Sequence, residues 1–478
     1  MKNDFNPEWA RPLRWKDVYS EAELYKAAVR IYTKPVFQWR KALGTSTDGK
    51  TLYDFAAHGL ARLDGIHRSL QRGNFTFRPA LALHYNFNGK HRALYIPPWE
   101  ERIVDLLLYR VLNRRLHNWF SPNSYAYRDR KFSLDGCQTR IARVLRSAKS
   151  PLYVVKRDIR DFFATIDHEL LLNKLATLCD EDDFLYRLLA QRVRFAYEEQ
   201  GSLQTAATGI PFGTSIACLL ANIYLTELDR EIESIPEVHY FRYADDLLLL
   251  STSREAALDA GKQVELHFAG LKLETKASHQ VDLLLADELA PDAQFIAART
   301  FRHLGLLFCG GGRVALSRDK QRKIQNLFRF AFRRKRRWKR EKDPQARALT
   351  LINIATETIE KGIRNVGVLD YYLKHVNDEE QLRLLDRWLA EEVLSRVFGG
   401  HKRGHFRRIS FGQLRAMGLA SLVHRRRMIL NGRMESPFFI WQREKATRAF
   451  RGTVARLCRS AGETAFSPFP EAAASKSL

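Results

Sequence analysis

The sequence predicts an α+β protein in which strands carry a set of acidic residues and helices flank them. Three observations lead there. Two apolar, β-prone runs, His239-Tyr240-Phe241-Arg242 and Leu247 to Leu250, enclose the tetrad Tyr243-Ala244-Asp245-Asp246. A further such run, Tyr153-Val154-Val155-Lys156-Arg157, leads into Asp158. From Ser317 onward the apolar spacing turns helical.

β-propensity on both sides of a tight, Asp-bearing centre predicts a hairpin with two adjacent carboxylates at its tip. Such carboxylates repel each other beside apolar strands, and a cation relieves them, so the tip reads as a divalent-metal site. A plain surface turn is the alternative, because Asp is a common turn residue. The upstream strand weakens that alternative. A strand-end Asp158 and an Asp pair on a later hairpin of one sheet can bind two metals together, activating the attacking oxygen and steadying the leaving one in phosphoryl transfer. Asp161 has a simpler reading as a solvated position. Asp167 reads as the N-cap of a helix carrying Leu170, Leu171, Leu172 and Leu175.

Residues 1–80 look helical and amphipathic, as in Glu21-Ala22-Glu23-Leu24-Tyr25-Lys26-Ala27-Ala28-Val29. The strand-bearing part occupies 81–315 and ends near Gly310-Gly311-Gly312, a natural hinge. A helical unit follows at 316–400, where Asn377 or Asp378 caps a helix with Leu382, Leu385, Trp388, Leu389 and Val393 on one face. Gly399-Gly400 breaks that helix. A basic region covers 401–459, and the small, polar stretch 460–478 reads as a disordered tail.

Lys and Arg number 79 against 54 Asp and Glu, so the formal charge is +25. Such an excess grips phosphates without regard to sequence and points to nucleic acid. It is concentrated at Arg329, Arg333, Arg334, Lys335, Arg336, Arg337, Lys339 and Arg340, with Phe328, Phe330, Phe332 and Trp338 interleaved. On a helix, the aromatics would anchor one face while Arg333, Arg334, Arg336 and Arg337 meet a duplex or folded RNA. A merely solvated basic helix has the same composition. No apolar run reaches membrane-spanning length, and the start lacks a secretory pattern. Five scattered cysteines without a Cys-x-x-Cys pair suggest reduced thiols in a cytoplasm rather than a disulfide framework or structural zinc. His401 and His405 read as phosphate-facing or solvated.

Across roughly residues 80 to 310 these segments stand in the order used by reverse transcriptases, and the chain resembles that family. Gly89-Lys90-His91-Arg92-Ala93-Leu94-Tyr95-Ile96-Pro97 resembles the fingers segment that holds the incoming triphosphate. Glu101-Arg102-Ile103-Val104 and Phe120-Ser121-Pro122-Asn123-Ser124-Tyr125-Ala126-Tyr127-Arg128 resemble the next finger blocks. Asp158 to Phe163 and Tyr243 to Asp246 match the two catalytic motifs. Ile210-Pro211-Phe212-Gly213 with Leu219-Leu220-Ala221-Asn222-Ile223-Tyr224-Leu225 resembles the loop and helix between them. Gly270-Leu271-Lys272-Leu273 with Lys276, then His303-Leu304-Gly305, resemble the closing palm motifs. These segments standing together in register make a specific signal.

The resemblance implies a right-hand polymerase fold, with fingers and palm at 81–315 and a helical thumb at 316–400. It implies an RNA-directed DNA polymerase that adds dNTPs to a 3′-hydroxyl on an RNA template and yields DNA. Asp158, Asp245, Asp246 and the Ile159 carbonyl would hold Mg2+, or Mn2+. Lys90 and Arg92 would neutralise the triphosphate, Gly213 would belong to the nucleotide site, and Lys276 would assist near the pyrophosphate. Phe163 takes the place where the family sets an aromatic against the sugar, excluding a ribose 2′-hydroxyl; Phe162 and Phe163 also suit a core.

Group II intron enzymes carry Gln after the Pro of the central loop and Ser-Pro before Leu-Leu-Ala-Asn. Here Phe212 and Ala217-Cys218 stand instead, a departure that resembles the abortive-infection and unknown-group enzymes of bacterial antiphage defence, which often act with a dedicated noncoding RNA. The neighbouring readings are a template-independent or protein-primed DNA polymerase, a retron or group II intron-type enzyme, and a catalytically inert RNA-binding scaffold. The intact Asp158, Asp245 and Asp246 speak against the last.

Overall fold

The computed structural model of the chain describes residues 12–33, 45–87, 90–128, 132–148, 151–286, 292, 294–356, 372–419 and 421–432. Its strands are β1 (Ala80–Phe87), β2 (Lys90–Ile96), β3 (Leu152–Asp158), β4 (Ala196–Glu199), β5 (Ser202–Thr205), β6 (Val238–Tyr243), β7 (Asp246–Ser251), β8 (Val281–Leu285), β9 (Ile296–Ala298), β10 (Thr300–His303), β11 (Leu306–Cys309) and β12 (Val314–Leu316). They form three sheets, ordered β2-β1-β4-β5, β6-β7-β3-β8-β9 and β10-β11-β12. Helices surround them, as an α+β fold requires.

The five-stranded sheet is the middle layer of the molecule. Successive residues of a strand point to opposite faces, and β7 uses both. Leu247 and Leu249 join one hydrophobic core with Val155, while Leu248 and Leu250 join the other with Val154. Being buried on both sides explains why β7 reads as an unbroken apolar run. The first core is closed by helices Trp99–Arg115, Ser215–Ser234 and Arg254–Gly270. The N-terminal helix Glu21–Thr33 docks on it through Leu24, Ala27 and Ala28, so the expected N-terminal helical pattern packs against the strand-bearing part. The second core takes in Leu134–Ser147 and the helices that follow β12.

Those later helices are held to β12 by polar contacts as well as burial. The Asp378 side chain caps helix Glu379–Phe398, accepting the Gln381 amide at 3.0 Å. Asn377, the other expected cap, does something else: its Oδ1 accepts the Val314 amide at 2.7 Å and its Nδ2 donates to the Gly312 carbonyl at 3.0 Å. Leu382, Leu385, Leu389 and Val393 are buried, and the helix stops at Gly399, whose φ of 79° is left-handed.

The glycine run 310–312 is not a hinge. It is the turn between β11 and β12, and Gly312 is packed so closely on helix Leu134–Ser147 that a Cβ there would meet the Ala142 carbonyl at 3.1 Å. The 401–459 region is described as far as residue 432; its remainder and the expected tail at 460–478 lie outside the described residues, as do residues 1–11. Among the described residues no helix is long and apolar enough to cross a membrane.

Asn377→Ala leaves the buried Val314 amide and Gly312 carbonyl without their side-chain partner. An unmet buried group costs about 1–3 kcal/mol, so the urea midpoint should fall well beyond that of an exposed-site control such as Glu380→Ala.

Candidate active site

The acidic residues meet through strand register. β3 ends at Asp158, which lies opposite Asp246, the first residue of β7. The two-residue tip between β6 and β7 is Ala244-Asp245, with Ala244 at φ 59°. The carboxylates are therefore not both in the turn. Asp245 occupies it, whereas Asp246 sits in the strand, its Oδ1 3.5 Å from Nδ1 of the fully buried His303. Backbone bonds lock the junction: the Ile159 amide donates to the Asp245 carbonyl at 3.2 Å, and the Lys276 amide donates to the Asp158 carbonyl at 2.8 Å. Asp158, Ile159, Asp245 and Lys276 thus converge from three segments.

Burial raises the Asp245 carboxyl from the ordinary 3.8 to about 6, with Asp158 and then Asp246 adding repulsion and Arg92 opposing it. His303 is driven the other way, well below its usual value, by burial and by Lys156, so it faces Asp246 as a neutral ring. Among the described residues no three His, Cys, Asp or Glu side chains form a metal cluster. The acidic groups that do act on one another are Asp158, Asp245 and Asp246, whose carboxylate oxygens are hard donors of the kind that suit magnesium. The repulsion stored at Asp245 is what a divalent cation would remove, so these residues fit such an ion.

Beside the tip runs a row of rings. Phe162 is buried and Phe163 half-buried on the short helix Phe162–Thr165. The Phe163 ring lies 6.3 Å from Tyr127 and 5.0 Å from Phe212, and the Arg92 guanidinium stands 5.6 Å over Phe212. The central loop staples this row together. Ile210 donates its amide to the Phe163 carbonyl at 2.8 Å, and Tyr95 of β2 donates to the Phe212 carbonyl at 2.9 Å. Gly213 has φ 107°, and a Cβ there would stand 2.3 Å from Leu94 Cδ1. Its small size thus serves loop-to-strand packing. Lys90 opens β2 opposite Phe87. Asp161 is an exposed residue at φ 43°. Asp167 caps its helix through the Leu170 amide at 3.0 Å and pairs with Lys272 at 2.6 Å.

Sequence reasoning assigned no task to Arg242. It is fully buried in β6, and its five N–H groups make five hydrogen bonds. Two reach the Asp229 carboxylate at 2.6 Å each; the others reach Asn222 Oδ1 at 3.2 Å, Ser124 Oγ at 2.8 Å and the Ala244 carbonyl in the acidic tip at 3.1 Å. The signal was present: an arginine inside an apolar strand needs an ionic partner.

The basic cluster is not one helix. Arg333 and Arg334 end helix Arg318–Arg334, and Arg336 and Arg337 lie on the 3-10 turn Arg336–Arg340; all four are exposed. The chain breaks at Lys335 because Trp338 folds back, donating Nε1–H to the Phe332 carbonyl at 3.0 Å. Phe328, Phe332 and Trp338 are buried, but Phe330 is half exposed. His405 is buried 5.3 Å from the Phe398 ring rather than solvated, because it opens a short helix that packs under that side chain.

A carboxylate-tipped hairpin paired with a second acidic strand, and walled by a loop and fingers sheet, is the palm of a right-hand polymerase. Residues 86–306 match the family described as reverse transcriptase (RNA-dependent DNA polymerase). It is 27% identical over 191 residues to the group II intron-encoded protein LtrA of Lactococcus lactis subsp. cremoris, covering 39% of this chain and 31% of that one. It is 24% identical to Protein YkfC of Escherichia coli K12, covering 45% and 65%. To the retron Ec83 reverse transcriptase of Escherichia coli it is 25% identical, covering 50% and 72%. The chain spans between 23% and 65% of the length of the first curated relatives it matches.

The raised Asp245 carboxyl fixes a sign. A folded-state value above the unfolded one contributes stability below about pH 4, and that contribution is lost as pH rises through about 6. Ionising Asp245 therefore weakens the metal-free fold, and below about pH 6 an ion that binds there must displace a proton. Magnesium should raise the thermal midpoint more at pH 7.5 than at pH 5. In Asp245→Asn the magnesium effect should shrink at both pH values, with the metal-free midpoint at pH 7.5 no lower than in the parent. Equal magnesium shifts in parent and variant would rule the assignment out.

Proposed function

We propose that the chain is a divalent-cation-dependent RNA-directed DNA polymerase. The observation that carries this reading is the convergence of Asp158 and Asp245, with the Ile159 backbone beside them, at the end of a buried sheet. Those residues, with Asp246 adjoining, would hold magnesium or manganese, which activates the attacking 3′-hydroxyl and steadies the leaving oxygen.

The chain's own residues then divide the remaining tasks. Arg92, with Lys90 on the same strand, neutralises the triphosphate. Phe163, backed by Phe212 and Tyr127, closes the space beside C2′ of the sugar and so selects dNTPs. The strand-locked Ile159–Asp245 contact keeps the acidic tip fixed while the primer end and nucleotide align, which is where positioning lowers the barrier. Lys276 stands by the pyrophosphate. Arg333, Arg334, Arg336 and Arg337 supply phosphate contacts to an RNA template and its DNA product. Phe212 and Ala217-Cys218 support the finer reading, a defence enzyme copying a dedicated noncoding RNA. Supplying each dNTP singly separates this from template-independent synthesis, because a templated enzyme needs the set its template specifies.

Replacing Asp245 and Asp246 together with Ala should cut nucleotide incorporation by about a thousandfold or more, the scale of several kcal/mol of lost charge stabilisation. RNA binding, measured by filter retention, should persist. Incorporation by the double variant near the parent's rate would refute the site.

Phe163→Val should admit ribonucleotides. An overpacked contact costs about 1–3 kcal/mol, so discrimination against rNTPs should fall roughly ten- to hundredfold, with dNTP use little changed. Primer extension with matched dNTP and rNTP measures it; unchanged discrimination would place the gate elsewhere.

A further inference from the structure

Away from the acidic tip, the C-terminal helices enclose a cavity of about 670 Å³, open to solvent, between helix Glu379–Phe398 and the segments Phe411–Ala416 and Leu422–Leu430. That volume falls within the roughly 300–1,000 Å³ of small-ligand sites. Phe406, Phe411 and Val423 give it an apolar floor, with the two phenylalanine rings tilted against each other at 6.4 Å. Its rim is cationic, formed by Arg383 and Arg387.

The back wall is built, not incidental. Buried Asp386 accepts the Arg415 guanidinium at 2.7 Å and the Leu422 amide at 3.0 Å, tying the last two segments to the long helix. Arg415 is thereby held 4.7 Å over the Phe411 ring. The rim arginines have no such fixed task. Arg383 and Arg387 are 70% and 59% exposed, in i,i+4 pairs with Glu379 and Glu391. Exposed pairs of that kind are worth about 0–1 kcal/mol, so a phosphate can replace the carboxylates at little cost.

An aromatic floor beneath a cationic rim matches one ligand chemistry: a planar base that stacks and a phosphate that pairs with guanidinium. A base inside a duplex has its faces covered by neighbours, so the occupant is an unpaired nucleotide. We propose that this cavity binds one unpaired nucleotide of a single-stranded nucleic acid, outside the polymerase palm. The proposal rests on the reading of the chain as a nucleic-acid enzyme, yet its site shares no residue with the acidic tip.

The test uses the full chain and a 12-nucleotide uridine homopolymer carrying one 4-thiouridine, cross-linked by light and mapped by peptide mass. The expected result is a cross-link within residues 403–415 of the parent, lost in Phe406→Leu/Phe411→Leu, which keeps the lining apolar without its rings. In Arg383→Gln/Arg387→Gln the log–log salt slope of binding should fall by about one to two units. No cross-link in that segment, or an unchanged cross-link and slope in both variants, overturns the proposal. Incorporation on a saturating primed template is measured in parallel. Its absence in the parent would refute the polymerase reading while leaving the cavity's result to stand by itself.

Discussion

The ion pair between Arg242 and Asp229 governs where the acidic tip can lie. Both side chains are fully excluded from solvent. Desolvating two charges costs several kcal/mol each, and the attraction offsets this only when every donor and acceptor is met. Here the fork of Arg242 is saturated, and Asp229 also accepts the Tyr240 hydroxyl at 2.8 Å. Because one of those bonds ends on the Ala244 carbonyl, the geometry that satisfies the charge also fixes the backbone carrying Asp245. Asn222 extends the link by donating to the Ala126 carbonyl at 3.0 Å, and the neighbouring Tyr127 ring borders Phe163. One buried cation therefore ties helix, hairpin and the row of rings at Phe163 into a single frame.

That frame needs rigid surroundings, which the sheet provides. With a core on each face, β7 has no room to shift register, since a slip of one residue would exchange the two sets of leucines between dissimilar partners. Asp246 remains opposite Asp158 for the same reason. The site's unfavourable feature, acidic residues facing one another, is placed at the end of a strand pair buried on both faces, where the fold can bear it.

How much of this was legible in the sequence follows from the range of each interaction. The hairpin, the strand ending at Asp158 and the Asp167 cap were readable because their causes are local: alternation, turn chemistry and a capping side chain. Asn377 and Asp378 could not be told apart, because what separates them is a partner in β12, distant in sequence. The glycine run looked like a hinge because composition reports backbone freedom and not the helix lying against it. The helical reading of the basic cluster failed at Lys335 through one bond from Trp338 to Phe332. The role of Arg242 depended on four partners spread over more than a hundred residues, which no window of sequence displays.

The interlock of Gly213 with Leu94 bears on how such a chain can change over time. The loop behind Phe163 and the strand bearing Arg92 touch without a gap, and each holds the other's backbone in place. A larger residue at 213 would meet Leu94, and at φ 107° it would be strained even after Leu94 had shrunk. Position 213 is therefore held to glycine twice over, by its own backbone and by the neighbouring strand, and the loop behind Phe163 is constrained from both.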